Sequence, residues 1–188
     1  VALAGVSQAN IFIGNFDTMF FAGIGQLAML CGQAYGAGNF RLMGSWLQMY
    51  LAFATLGYVP VTGMRLVTAP VLKAAGVIPE IADVAGQYAF WSQLNFLFDM
   101  WFYSVKEYYA AQMAVKTAAV VDAVFVFVNI GIVWVLVFVW DWGVAGAAIG
   151  TTVTRGLRTV VYVLVCWRMG LHRQSWGGWS WADLTNTS

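Results

Sequence analysis

Apolar residues fill this chain in stretches that are longer than the helices and strands of ordinary soluble domains. Five of these stretches carry at most three charged residues each. A helix needs about 20 apolar residues to cross the roughly 30 Å hydrocarbon core of a bilayer, so each stretch is long enough to span it. The predicted spans lie at approximately 3–33, 43–64, 84–105, 117–139 and 144–168.

The spans are predicted to be helical because a segment in lipid must satisfy its own backbone hydrogen bonds. They lack the alternating polarity of a membrane barrel. We therefore predict an all-α, polytopic transmembrane bundle over residues 1–169, with about five spanning helices. The short connection Asp141-Trp142-Gly143 makes the last two helices antiparallel neighbours. The Trp-rich residues 170–188 are too polar to span, and we expect them at the cytoplasmic interface, where Trp concentrates.

The distribution of Lys and Arg between the loops predicts the orientation. If the spans alternate in direction, two cations, Arg65 and Lys73, lie on one side. Five cations lie on the other side: Arg41, Lys106, Lys116, Arg168 and Arg173. Because cytoplasmic loops carry an excess of Lys and Arg, the side with five cations is predicted to be cytoplasmic.

The composition agrees with a membrane location and excludes several function classes. Only 9% of the residues are charged and 61% are hydrophobic, with a mean hydropathy of +0.74, whereas soluble domains carry about 25% charged residues. The net charge of +1 gives no basic surface for nucleic acid. Two cysteines and one histidine, His172, show no metal-ligand spacing. We therefore expect no catalytic residue, no metal, no cofactor and no enzymatic activity.

Charged and polar side chains inside the spans are the candidates for a transport path, because ionisable groups in a membrane are costly and usually functional. In the first span, Asp17 lies near mid-membrane and could take up a proton; alternatively, a neighbouring helix satisfies it. In the third span, Asn95 and Asp99 belong to a polar stripe that also contains Tyr88, Ser92 and Tyr103. The stripe is consistent with either a pathway or polar contacts that hold helices together.

The last two spans bring further polar groups to similar depths. Asp122 and Asn129 are seven residues apart and share one face of the fourth span, while Arg155 and Arg158 lie on the fifth. Counting outward from the short turn places Asp122 about one helical turn from Arg158. We predict an ion pair between these two residues, either as a static link between helices or as part of a pathway.

Small residues predict close packing at a few positions. Two GxxxG patterns, Gly32 to Gly36 and Gly146 to Gly150, allow two helices to approach closely. Cys31 and Cys166 both lie near the predicted cytoplasmic end of their spans, where we expect them to be small core residues.

One ten-residue stretch carries a family resemblance. Leu30-Cys31-Gly32-Gln33-Ala34-Tyr35-Gly36-Ala37-Gly38-Asn39 resembles the TLCGQAYGAG signature that ends the second helix of multidrug and toxic compound extrusion (MATE) transporters, eukaryotic members above all. Further similar segments follow in the family's order: Trp46-Leu47-Gln48, then Tyr108-Tyr109-Ala110-Ala111-Gln112, then Gly143-Val144-Ala145-Gly146-Ala147-Ala148, and finally Ser175-Trp176-Gly177-Gly178-Trp179-Ser180.

The resemblance implies that the five spans correspond to family helices two to six, in the N-terminal lobe of a twelve-helix antiporter. The first helix and the C-terminal lobe would then be partners outside this chain, and we expect the chain to be a segment of a longer multi-pass integral membrane protein. Such transporters expel organic cations, drugs or metabolites in exchange for H⁺ or Na⁺ through alternating access. Asn129 matches the first polar position of the family's fifth helix, whereas Val133 stands at the second.

Three other interpretations remain open at this point. A lipid-linked oligosaccharide flippase has a related fold, but its cavity should be more cationic than Arg155 and Arg158 allow. A membrane-embedded enzyme would need a convergent acid–base or metal set, which the sequence lacks. A truncated membrane scaffold that transports nothing is the third.

Overall fold

The computed structural model describes residues 1–173 and 175–178. In these residues the chain forms seven α-helices and one π-helical turn, and no strand. The helices are α1 (Ala2–Gly36), α2 (Phe40–Leu66), α3 (Thr68–Ala74), α4 (Pro79–Trp91), α5 (Gln93–Ala110), α6 (Val115–Trp134) and α7 (Gly143–Arg168), with the π-helical turn at Val135–Val139 between α6 and α7. The predicted all-α fold is confirmed.

The turn between α1 and α2 follows from three residues of the sequence signature. Gly38 adopts a φ of +70°, which a residue without a Cβ reaches at little cost. The Asn39 amide then donates to the Ala34 carbonyl over 2.9 Å and closes the end of α1. The Asn39 side chain accepts from the Leu42 amide at 3.2 Å, so this residue caps the start of α2.

The prediction of one continuous helix over 84–105 is corrected at Ser92, which separates α4 from α5. The Ser92 hydroxyl donates to the Ala89 carbonyl at 3.3 Å, a local bond that competes with the helical backbone pattern. The Ser92 carbonyl in turn accepts a hydrogen bond of 2.6 Å from Arg65 Nη1. A side chain from another helix thus satisfies a backbone group at the break.

The predicted loop at 65–83 is also corrected, because much of it is helical. α2 extends to Leu66, α3 occupies Thr68–Ala74, and the axes of α2 and α3 meet at 48°. α4 begins at Pro79, whose fixed φ and missing amide hydrogen suit the first helical position. Only Val67 and a short connection from Ala75 to Ile78 remain non-helical.

The turn between α6 and α7 makes these helices antiparallel neighbours, as predicted. Asp141 and Gly143 adopt φ values of +53° each. The Trp140 and Trp142 rings flank the turn with centroids 5.3 Å apart. A Cβ at Gly146 would lie 2.9 Å from the Leu136 carbonyl oxygen, so the glycine allows α7 to pack directly on the π-helical turn.

The lengths and compositions of the helices agree with a bilayer location. Within the described residues, α1, α7 and the segment Val115–Val139 are each long and apolar enough to span, and the bent pair α2–α3 would be a fourth span. The remaining predicted span, 84–105, is the one divided between α4 and α5. Many large apolar side chains on the outside are exposed, including Phe127 at 75% and Leu56 at 73%, as expected of a surface that faces lipid.

The buried residues form three clusters along the bundle. The largest lies where α1 and α5 end and α2 begins, and includes Met43, Phe102, Tyr108 and both cysteines. Cys31 and Cys166 have no exposed surface, which confirms that they are core residues. A second cluster joins α1, α4 and α7 at the opposite end, and a third lies between them. We name the end with the largest cluster the basic end, since the five predicted cytoplasmic cations belong to it.

Candidate functional site

Asp99 on α5 is the centre of the candidate site. Its Oδ1 accepts a hydrogen bond from Arg158 Nη2 at 2.9 Å, and its Oδ2 pairs with Arg155 Nη1. Both arginines project from α7, one helical turn apart, as a spacing of three residues requires. The Asp99 side chain is 12% exposed, so its charge depends on these two partners for stabilisation.

Asp122 on α6 extends the same arrangement. Its Oδ1 lies 3.4 Å from Arg158 Nη1, which confirms the predicted ion pair. Its Oδ2 accepts a hydrogen bond of 3.1 Å from Lys106 Nζ. The cation count above assigns Lys106 to a loop; the structure corrects this, because α5 continues to Ala110 and carries the lysine inside the bundle.

These five residues form a continuous series of opposite charges, which we name the charged cluster: Lys106, Asp122, Arg158, Asp99 and Arg155. The cluster holds three cations and two carboxylates. Arg158 bridges both carboxylates and also lies over the Phe102 ring, with 3.9 Å from its Cζ to the ring centroid. The three helices α5, α6 and α7 are therefore linked through one side chain.

All residues of the charged cluster except Lys106 line a cavity of about 320 Å³ between α5, α6 and α7. Asn129, predicted as a path residue, also lines it, together with Thr151, Thr154 and Tyr103. The Arg155 side chain is 39% exposed, which is the largest exposed fraction among the ion-paired residues of the cluster. This exposure indicates that the cavity is open at Arg155. In the described part of the chain, the buried Asn129 Oδ1 and Arg158 Nε meet no hydrogen-bond partner. The cavity thus offers both charged and unpaired polar atoms.

A second ion pair contains Asp17 and joins α1 to α2. Its Oδ2 accepts a hydrogen bond of 2.7 Å from Arg65 Nη2, and Arg65 is only 4% exposed. The cation count above places Arg65 in an outer loop; the structure corrects this, since α2 includes the residue and buries it. The Asp17 Oδ1 has no hydrogen-bond partner among the described residues, so a neighbouring helix satisfies one oxygen of this carboxylate, and its uptake of a proton stays a prediction. The Arg65 bond to Ser92 connects this pair to the break between α4 and α5.

The predicted polar stripe of the third span faces inward. Tyr88, Ser92, Asn95 and Asp99 are all buried. Asn95 Oδ1 has no partner among the described residues. The stripe does not form one site, because the break at Ser92 directs its upper part to Arg65 and its lower part to the charged cluster.

Some of the residues in the family-like segments make contacts within the bundle, and others do not. Gln48 is 1% exposed and its Nε2 donates to the Gly178 carbonyl at 2.5 Å. The Tyr35 ring contacts Phe40 edge to face at 5.6 Å. Gln112 Nε2 donates to the Tyr108 carbonyl at 3.4 Å. Gln33 is exposed at the end of α1. Residues 170–173 and 175–178 of the predicted interfacial segment pack on the basic end, and the rest of that segment lies outside the described residues.

The two GxxxG patterns differ in the structure. Gly146 and Gly150 pack against the π-helical turn and Val133, where a Cβ would lie at 2.9–3.0 Å from its neighbours. Gly32 and Gly36 face open space, so the predicted close approach at this pair is corrected for the described residues. The pattern alone does not say whether a neighbouring helix lies beside it.

Three important residues are missed by reasoning from the sequence. Arg65 and Lys106 lie at the predicted ends of spans, so they were counted with the loops. The available signal was the lack of any cation within the first span to balance Asp17. Tyr108, read only as part of a motif, is 1% exposed, and its hydroxyl lies 2.5 Å from the Ser175 hydroxyl. No group of three or more His, Cys, Asp or Glu in the described residues is arranged to hold a metal.

Comparison with known proteins gives one family and a matching fold. The model of the MatE family matches residues 1–135. Protein DETOXIFICATION 32 of Arabidopsis thaliana is 30% identical over 188 residues, covering 99% of this chain, and Protein DETOXIFICATION 35 of the same plant is 30% identical over 186. The crystal structure of the eukaryotic MATE transporter AtDTX14 superposes with a TM-score of 0.92 over 97% of this chain, at 22% identity.

The chain is shorter than these relatives. It spans 36–37% of the length of the two Arabidopsis proteins and 41% of the solved transporter chain.

Proposed function

Because its residues 1–135 match the family model, the chain belongs to the MatE family, and we propose that it forms part of the N-terminal lobe of a secondary active transporter. The transporter exports small organic compounds in exchange for an inward-moving ion, through alternating access. The chain is a multi-pass integral membrane protein. In this proposal, a first helix and a C-terminal lobe outside this chain complete the transporter.

The charged cluster beside the cavity is the observation that carries this proposal. The Asp99 carboxylate joins α5 to α7 through its bond to Arg158. The Asp122 carboxylate joins α6 to α5 and α7 through its bonds to Lys106 and Arg158. Protonation of either carboxylate removes its charge and weakens those bonds, which permits α7 to move against α5 and α6. A single proton can therefore bias the lobe between two conformations, as coupled transport requires.

The cluster supports H⁺ rather than Na⁺ as the coupling ion. Na⁺ binding needs carboxylate or carbonyl oxygens that are free to coordinate it. The oxygens of Asp99 and Asp122 already bond to guanidinium or ammonium groups, and the cluster carries one more cation than anion. A metal cation needs several free oxygen ligands at once, whereas a proton needs a single lone pair of one carboxylate oxygen.

The same pairing disfavours the flippase alternative. A site for lipid-linked phosphates would need arginines free to donate two parallel hydrogen bonds to each phosphate. Here Arg155 and Arg158 both bond to Asp99, and Arg158 bonds to Asp122 as well. Little positive charge remains to receive a phosphate group.

Flux measurements on the complete reading frame that contains this chain test the proposal. The protein is reconstituted in vesicles with an imposed pH gradient, and both the efflux of a fluorescent organic cation and the movement of protons are recorded. We expect Asp99→Asn and Asp122→Asn each to lower proton-driven efflux at least tenfold, the loss that general proton-transfer groups usually produce. Replacing the pH gradient by a Na⁺ gradient should drive no efflux.

Asp141→Asn is the matched control, because Asp141 is exposed in the turn before α7 and Asn tolerates its φ of +53°. This variant should retain its flux within about twofold, since a surface substitution away from the site costs little. Full proton-coupled efflux in both cluster variants would contradict the role of the cluster. Absence of any ion-coupled flux in the wild type would contradict the antiporter itself.

A further inference from the structure

An apolar groove lies on the outer surface of the bundle, away from the charged cluster. It has a volume of about 750 Å³ and is formed by α2, α5, α7 and the segment after α7. Its floor consists of buried side chains, among them Val105 and Tyr109. Its rim carries exposed large side chains, including Leu56 at 73% and Trp167 at 59%. A surface groove of this size, lined almost entirely by apolar groups, marks a binding site for an apolar partner.

The groove extends over one half of the bundle only. On α2 its lining runs from Leu47 to Leu56, and on α7 from Thr159 to Trp167. At 1.5 Å rise per residue, the two stretches are about 14 Å and about 12 Å long. Thr55 lies near the middle of the 27-residue α2, so the groove runs from the basic end to about mid-membrane. This length is close to the roughly 15 Å depth of hydrocarbon in one leaflet.

The two ends of the groove differ in polarity. At the deep end, Trp101 Nε1 donates to Thr55 Oγ1 over 3.3 Å, so this hydrogen bond between α5 and α2 satisfies the polar groups there. At the shallow end the groove reaches His172, which stacks on Trp167 with ring centroids 5.8 Å apart. Arg168 and Arg173 flank His172 in the sequence and are exposed. Two of the lining residues at this end, Trp167 and His172, are each followed in the sequence by an exposed arginine. An apolar groove with exposed cations next to one end in the sequence suits a molecule with an apolar tail and an anionic head.

We propose that this groove binds one acyl chain of an anionic phospholipid from the leaflet at the basic end, with the lipid phosphate at Arg168 and Arg173. The chain is an integral membrane protein, and exposed apolar side chains form the rim of the groove, as expected of a surface in contact with lipid. The basic end is the side that the Lys and Arg distribution predicts to be cytoplasmic, and the cytoplasmic leaflet is the one that holds anionic lipids.

Quenching of Trp101 by brominated lipids tests the proposal, because bromine on an acyl chain quenches a tryptophan that it contacts. The complete reading frame that contains this chain is placed in nanodiscs with either dibromo-phosphatidylglycerol or dibromo-phosphatidylcholine at increasing mole fraction. The Trp101 signal is the difference between wild type and Trp101→Phe. Each surface arginine is expected to raise the affinity for an anionic lipid about fivefold. The two together predict half-maximal quenching at a mole fraction of the anionic lipid about 20- to 30-fold lower than that of phosphatidylcholine.

Two controls separate the groove from general attraction of anionic lipid. Trp134 on α6 is 57% exposed outside the groove, so its signal, obtained with Trp134→Phe, should show no such preference. The double variant Arg168→Gln/Arg173→Gln should lose the preference at Trp101, whereas Lys116→Gln, an exposed cation at the same end, should keep it. These substitutions are on the surface, and circular dichroism verifies that the variants retain their helices.

Equal quenching of Trp101 by the two lipids would overturn the assignment of an anionic headgroup and with it the proposal. Failure of both lipids to quench Trp101 would also overturn it, because the groove would then be covered by protein, either a second copy or another segment. Neither result bears on the charged cluster, so the proposal stands or falls independently of the proposed transport.

Discussion

Substitution of the buried pair Asp17–Arg65 is the sharpest test of how the bundle is stabilised. Arg65 Nη2 donates to Asp17 Oδ2 at 2.7 Å and Nη1 donates to the Ser92 carbonyl at 2.6 Å. The change Asp17→Asn leaves the charge of Arg65 uncompensated. The change Arg65→Gln leaves the charge of Asp17 uncompensated and removes the donor to the Ser92 carbonyl. The double change Asp17→Asn/Arg65→Gln keeps two neutral amides of similar shape that can bond to each other.

The expected magnitudes follow from the burial of the two side chains. Removing one partner of a buried ion pair costs about 3–5 kcal/mol. Asp17 is 18% exposed, so we expect Asp17→Asn to cost about 2–3 kcal/mol, near the lower limit. Arg65 is 4% exposed and makes two bonds, so we expect Arg65→Gln to cost about 3–4 kcal/mol. The double variant should cost less than the sum, with a coupling of at least about 1.5 kcal/mol.

The measurement is thermal unfolding of the four proteins in one detergent, followed by the loss of helical circular dichroism. A change of 1 kcal/mol corresponds to about 2–4 °C in Tm for a chain of this size, so the single variants should differ from wild type by about 4–16 °C. The exposed pair Lys73–Asp83 is the control, with 2.6 Å between Nζ and Oδ1 and side chains 42% and 59% exposed. Its cycle with Lys73→Gln and Asp83→Asn should give a coupling of about 0–1 kcal/mol.

A coupling at Asp17–Arg65 as small as that at Lys73–Asp83 would refute the argument. It would mean that the buried pair is no more than a surface contact in its energetics. An Arg65→Gln change that left Tm unaltered would further show that the Ser92 carbonyl at the break needs no donor from α2.

Three other predictions follow from packing. Gly146→Ala should destabilise the protein by about 1–3 kcal/mol, because the new Cβ would lie 2.9 Å from a backbone oxygen. Gly32→Ala should stabilise it by about 0.5–1 kcal/mol, because this position of α1 faces open space. Both effects are measured as changes in Tm. Tyr108→Phe should cost about 1–2 kcal/mol by removing its hydroxyl's bond of 2.5 Å to the serine after α7; an unchanged Tm would contradict this. Cys31 and Cys166 have no exposed surface, so maleimide should label neither until the protein unfolds, and rapid labelling of the folded chain would show the core to be open.

The sequence by itself determined the class of the protein. Long stretches nearly free of charge can only be helices in a bilayer, because lipid offers the backbone no partner, and this argument needs no contacts. The short turn at Asp141 fixed α6 and α7 as neighbours, which was enough to predict the pairing of Asp122 with Arg158. The ten-residue signature and the segments after it indicated the MATE family, which the match over residues 1–135 confirms.

The tertiary structure decided which polar groups meet. Arg65 and Lys106 lie at the ends of predicted spans, and a span count cannot say whether a terminal cation faces water or a carboxylate 16 or 48 residues away. At the break, the Ser92 carbonyl accepts from Arg65, a side chain of another helix, and no local pattern could predict that contact. Gly32 and Gly146 have the same motif and opposite surroundings. Contacts between distant segments depend on the packing of the whole bundle, and a linear pattern records only which faces could meet.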